Sequence, residues 1–141
     1  YGTLIYLLGF TLVLSVVVPA VLVGAWIGGA LFYVQHQFEE TLWESADKWD
    51  VKVAALKGSS HLILPQALNW LTCDIAIHHV HHLSSRIPNY RLRDCMNALP
   101  DLQTISPKLT LGAAIQSARL ALWDEASRKL ISFREFRLQH A

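Results

Sequence analysis

The sequence predicts an all-α fold: an integral membrane helical hairpin followed by a helical cytosolic cap. Three observations carry this reading. Residues 1–38 contain no Asp, Glu, Lys or Arg, so the 12 basic and 11 acidic residues of this 141-residue chain all lie beyond them. The remainder shows helical apolar spacing, punctuated by clusters of Gly, Ser and Pro. Residues 78–82 read His-His-Val-His-His, which puts four of the seven histidines in one five-residue window.

The charge-free stretch is long enough for two shortened spans, since one span takes about 20 apolar residues. The break is expected near Pro19, which lacks a backbone donor and disfavours helix at Val18. Gly24, Gly28 and Gly29 suit close helix–helix approach in a membrane, and Phe32 and Tyr33 suit its interface. His36 then follows where the chain leaves the bilayer. A soluble protein would need far more partner chain to cover so much apolar surface. The expected division is therefore a transmembrane hairpin over 1–38 and a cap over 39–141.

Within the cap, residues 41–60 mix Trp43 and Trp49 with charges, as an amphipathic helix or linker at the membrane surface would. Gly58-Ser59-Ser60 ends that pattern. A helix over residues 62–71 tolerates Pro65 only in its first turn. The histidines fall on a second helix, residues 74–83, and Pro88 imposes a turn after it. Thr110 is a suitable N-cap for a helix over residues 111–123, whose apolar face is Leu111, Ala114, Ile115, Ala118 and Leu122. The tail, residues 124–141, alternates charge and hydrophobe and specifies no element.

Several function classes drop out. A net charge of +1 argues against a nucleic-acid surface. The start has neither the basic region of a secretory signal nor a methionine, so the chain is expected to be part of a longer one. Cys73 and Cys95 form no C-x-x-C pair and read as reduced, buried cytosolic thiols.

Side chains at i, i+3 and i+4 share a helix face, so His78, His81 and His82 can point at one spot while His79 points elsewhere. Imidazole binds zinc, copper, iron and nickel. Structural zinc sites usually draw four ligands from Cys and His, and neither cysteine is suitably spaced. The H-E-x-x-H of zinc proteases and the Glu-x-x-His of di-iron carboxylate bundles are both absent. An all-histidine set beside a membrane hairpin favours non-haem iron and oxygen chemistry, with zinc as the alternative.

Residues 70–92, WLTCDIAIHHVHHLSSRIPNYRL, resemble the third histidine box of membrane fatty acid desaturases, most closely the bacterial acyl-lipid branch. Residues 32–39, FYVQHQFE, resemble the histidine segment that ends that branch's last membrane hairpin, and residues 120–125, LALWDE, also match the type. The resemblance covers nearly the whole chain but only the C-terminal portion of the family's sequence. It implies a di-iron oxidoreductase of lipid metabolism that uses O2 to place a double bond in the acyl chain of a membrane lipid. A ferredoxin or a cytochrome b5-type protein would supply electrons. Carried over by position, His78, His81 and His82 are third-box ligands and His36 is the intervening ligand of two non-haem irons. No catalytic group beyond the ligands is implied.

The family's first and second boxes have no counterpart and are expected to precede Tyr1, so this chain alone should hold no stable di-iron centre and should be inactive. Ligand histidines must be neutral, and their other nitrogen needs a hydrogen-bond partner. Asp74, His79, Glu39 and Glu40 are candidates for that supporting role, while His61 and His140 read as surface or interface residues. Both ends of the hairpin, with His36 and the box, are expected on the cytoplasmic side, in a bacterial inner membrane. No nucleic-acid partner is expected, and the oligomeric state stays open. Two alternatives remain: a hydroxylase or other oxygenase on the same scaffold, and a non-catalytic metal-binding membrane protein.

Overall fold

A computed structural model describes residues 1–140 and divides the chain into two compact units, Tyr1–Phe32 and Tyr33–Ala141. Helix α1 (Gly2–Leu8) opens the first unit, and the long helix α2 (Phe10–His36) begins within it. They are separated at Gly9, whose φ of 85° is accessible to glycine without steric cost.

The expected break at Pro19 is not there: α2 runs through it, and the unit boundary falls at residue 32 rather than 38. Proline removes one hydrogen bond from a helix, and a long apolar helix absorbs that loss by local adjustment. The expected pair of short spans is instead a seven-residue helix and a 27-residue one. At 1.5 Å per residue α2 is about 40 Å long, against about 30 Å of bilayer hydrocarbon. Its most apolar window has a mean hydropathy of 2.4, and among the described residues it is the one helix long and apolar enough to cross a membrane.

The second unit is mostly helical, though not all-α. It contains α3 (Val51–Lys57), β1 (His61–Ile63), α4 (Gln66–Leu71), α5 (His78–Leu83), a 3-10 turn (Asn89–Arg91), α6 (Leu92–Ala98) and α7 (Leu102–Ile105). There follow β2 (Lys108–Thr110), α8 (Leu111–Ser117), β3 (Leu120–Asp124), β4 (Lys129–Ser132) and α9 (Phe133–Gln139). Strands β1 and β2 pair in parallel with Leu62 opposite Leu109, and β3 and β4 pair antiparallel with Trp123 opposite Leu130.

Local chemistry sets these boundaries. The Asp50 carboxylate accepts hydrogen bonds from the Lys52 and Val53 amides, 2.9 Å each, and so starts α3. Pro65 immediately precedes α4, where its missing N–H is no loss. Thr110 caps α8 as expected, accepting from the Ala113 amide at 3.2 Å, but that helix stops at Ser117. Residues 120–123, expected to continue it, form β3 instead, because the Asp124 carboxylate folds a turn by accepting from the Ala126 and Ser127 amides. That turn brings β4 alongside, and cross-strand pairing overrides the helical period. The tail is thus a hairpin ending in α9, which a reciprocal Ser132–Glu135 capping box begins.

The core of this unit is Ile77, Val80, Leu92, Met96 and Leu102, with Leu56, Ile75, Ile87 and Cys95 packed on it. Helix α5 therefore sits at its centre. Of the two cysteines, Cys95 lies half-buried against this core, whereas Cys73 is exposed, contrary to the expected burial. Both thiols are free.

Replacing Ser132 with Ala removes the capping hydroxyl and should destabilise α9 by about 1 kcal/mol. Faster hydrogen exchange confined to residues 133–139 is the expected readout; an unchanged exchange profile would contradict the assignment of this cap.

Candidate metal centre

The polypeptide enters α5 through a tight turn rather than a helix. Cys73 and Asp74 have φ of 51° and 57°, a left-handed conformation that few non-glycine residues adopt. The helix expected from residue 74 consequently begins at His78. Asp74 lies on the turn, and its carboxylate pairs with the Arg93 guanidinium rather than with a box histidine.

Three imidazoles converge. His36, from the last position of α2, brings Nε2 to 2.9 Å from His82 Nε2, which in turn lies 3.1 Å from His78 Nε2. The three nitrogens lie within 4.8 Å of one another. His78 is buried, His36 half-buried and His82 exposed. An imidazole nitrogen carries either a proton or a lone pair, so His82 Nε2 cannot form two good hydrogen bonds here. Nitrogens about 2.1 Å from one cation and at right angles would be about 3.0 Å apart, which matches these two separations, and the third pair, within 4.8 Å, needs at most a few tenths of an ångström of closure to share that cation. The donor set therefore fits a metal ion better than it fits a hydrogen-bond network.

The remaining histidines divide clearly. His81 stacks beside His78, with ring centroids 5.5 Å apart, and its buried Nδ1 has no hydrogen bond; it is not among the three converging nitrogens. His79 is fully buried on the opposite side, where its Nε2–H donates to the Leu102 carbonyl at 2.8 Å and ties α5 to α7. It supports the box from behind. His61, expected at the surface or an interface, stands 5.9 Å from His79 and is half-buried. His140, at the end of α9, is exposed and stacks on Phe136. Of the acidic candidates, Glu39 is engaged by Lys129 at 2.8 Å and Glu40 is exposed near Lys57.

Burial and mutual proximity keep His78 and His82 neutral. The His78 pKa is lowered to about 3, first by burial and then by His82, His36 and His81, with the Ile75 carbonyl opposing weakly. His82 is lowered by burial and by His36 and His81. Neutral rings offer lone pairs at physiological pH, as metal binding requires. Burial, then His79, Lys108 and Arg93, lower His61 to about 4.

One buried polar residue escaped the sequence reading. Gln35, beside His36, is 1% exposed, and its side-chain amide donates to the Ile75 carbonyl at 3.1 Å. Its only sequence signal was a glutamine next to a histidine at the end of a charge-free helix.

Comparison with known proteins places this geometry. The sequence profile of the fatty acid desaturase family matches residues 1–107, a stretch that includes every histidine of the converging cluster. The chain belongs to the fatty acid desaturase family. A fatty acid desaturase of Bacillus subtilis is 43% identical over 116 residues, 82% of this chain and 33% of the relative. An sn-1 oleoyl-lipid 12-desaturase of a Picosynechococcus species is 40% identical over 43% of this chain and 17% of its own length. A chloroplastic omega-6 fatty acid desaturase of Arabidopsis thaliana is 38% identical over 43% of this chain and 13% of its own. The desaturase chain described here thus spans a third or less of the length of these relatives. No solved structure matches it.

Two outcomes test this description of the site. His79→Ala removes a buried ring and its bond to Leu102, and should cost about 3 kcal/mol in denaturant unfolding of the intact protein; a loss below 1 kcal/mol would argue against the anchoring role. His61 titrates near 4 when folded and near 6.5 when unfolded. Protonation therefore favours the unfolded chain, and stability holds above pH 6.5 and falls as pH drops from 6.5 through about 4. In thermal melts across that window, His61→Gln should show a shallower decline than the wild type.

Proposed function

We propose that the intact protein carrying this chain introduces a double bond into an acyl chain of a membrane lipid, using O2 and two non-haem irons. The convergence of His36, His78 and His82 carries the reading, because it gathers nitrogen donors from two distant helices at one point. The names of the relatives support the substrate class: two are an oleoyl-lipid and an omega-6 fatty acid desaturase. His81 completes the ligand set contributed by this chain, and the rest comes from elsewhere in the protein.

Bound iron would supply, with O2, the oxidising power that an unactivated C–H bond demands. The residues described here hold, orient and shield. His36, His78 and His82 present lone pairs. His79, fixed to Leu102, holds α5 at a set rotation so that the box histidines face the same way. Packing of Ile77 and Val80 into the core keeps the back of α5 dry. In the overall balance two hydrogens leave adjacent acyl carbons, two electrons arrive from a ferredoxin or cytochrome b5-type donor, and two protons come from solvent. O2 leaves as two waters. Helix α2 would anchor the protein in a bacterial inner membrane, with His36 and the box on the cytoplasmic side.

The test is product analysis with the intact protein. Wild type supplied with a reduced donor should yield an acyl chain lacking two hydrogens, and His36→Ala, His78→Ala and His82→Ala should each lower the yield at least about 100-fold. A hydroxylated product without alkene would assign a same-scaffold oxygenase instead. Stoichiometric zinc without iron, in protein from iron-replete cells, would point to a non-catalytic metal-binding protein.

A further inference from the structure

His36 and the box belong to segments far apart in sequence, and something must hold them in register before any metal arrives. Helix α2 ends at His36, which leaves the last carbonyls of the helix without helical partners. The Gln35 carbonyl is one of these, and it accepts from Ser60 twice: from the amide at 3.0 Å and from the hydroxyl at 3.3 Å. Gln35's side-chain amide reaches the other way, donating to the Ile75 carbonyl at 3.1 Å. That carbonyl also neighbours the His78 ring. Gln35 and Ser60 are both almost completely buried, so these bonds face little competition from water.

Both attachment points are tied to the box. Ile75 lies three residues before His78. Ser60 leads into β1, where the Leu62 amide donates to the Ala76 carbonyl at 3.0 Å and His61 bridges to Ile77. The backbone on either side of Gln35's two bonds is thus the same small frame that launches α5.

We propose that Gln35 is a positioning residue: its amide, bonded to the Ile75 carbonyl, holds the end of α2 so that His36 stays within ligand distance of His78 and His82. This rests on the metal-centre reading above. An apolar side chain of similar length in its place would remove the side-chain bond that links Gln35 to the Ile75 carbonyl and free the end of α2 to shift. A shift of 1 Å is a third of the separation that now relates His36 to His82, enough to remove it from a shared ligand sphere.

The test uses cobalt(II) as a spectroscopic probe in the intact protein, with visible absorption reporting the ligand set. Gln35→Met keeps the length and loses the donor. It should bind cobalt at least about tenfold more weakly and give the spectrum of His36→Ala rather than that of the wild type. Ala114→Gly, a destabilising change at a buried position inside α8, serves as a control for general destabilisation and should retain the wild-type spectrum. If Gln35→Met does not accumulate, Gln35→Asn decides: it keeps the amide but falls one methylene short, and should weaken cobalt binding about fivefold or more. A wild-type spectrum and affinity in whichever Gln35 variant is measured would overturn the proposal. Failure of the metal-centre reading looks different: His36→Ala itself would then leave cobalt binding unchanged.

Discussion

A contact between residues 46 positions apart organises this chain: Nε2 of His36 against Nε2 of His82, at 2.9 Å. One of the two can carry a proton and donate to the other, but His82 Nε2 also meets His78 and cannot satisfy both. The contact persists because the surrounding structure imposes it, through a core that fixes α5 from behind and polar bonds that fix the end of α2. The turn at Cys73 and Asp74 belongs to the same constraint, because it aims α5 at the end of α2 rather than letting the helix start earlier. Local strain at the entrance to a functional helix is compensated by burial elsewhere, here by the packing of Ile77 and Val80.

Much of this was legible in the sequence, for identifiable reasons. Periodicity alone put His78, His81 and His82 on one face and turned His79 away; the structure brings His78 and His82 into the converging cluster, leaves His81 stacked beside His78, and bonds His79 to Leu102. The charge-free stretch, read as two short spans, holds one helix long and apolar enough to cross a membrane among the described residues. Pro19 misled because its effect was judged locally, whereas a 27-residue apolar helix spreads the loss of one bond over its whole length. The helix read over residues 111–123 ended early for the opposite reason: a partner strand, invisible to a window of one segment, competed for residues 120–123.

The supporting residues were the least legible. Asp74 had the right spacing to His78 for a helix that does not extend that far, so its carboxylate is free to meet Arg93. Glu39 was within helical reach of His36, but α2 ends there and Lys129 engages it. Gln35 carries no chemistry that a sequence pattern flags. Its importance comes from being buried where two segments cross. Ligands declare themselves by residue type; the groups that aim them are defined by tertiary neighbours that no spacing rule contains.

The tail grips the segment just after His36. Gln37 donates its side-chain amide to the Leu120 carbonyl at 2.6 Å, the Leu130 amide donates to the Glu39 carbonyl at 2.9 Å, and Arg128 pairs with Glu44. A ribosome makes these partners long after His36. Glu39 waits for Lys129, 90 residues later, before its clasp can close, and chains begin to fold from the N-terminus as they are made. The neighbourhood of His36 is therefore finished only well after His36 and the 78–82 cluster have been made. A nascent chain stalled before residue 120 would carry all the converging histidines in a frame still open on one side, so the order of synthesis puts the histidines ahead of the hairpin that encloses His36.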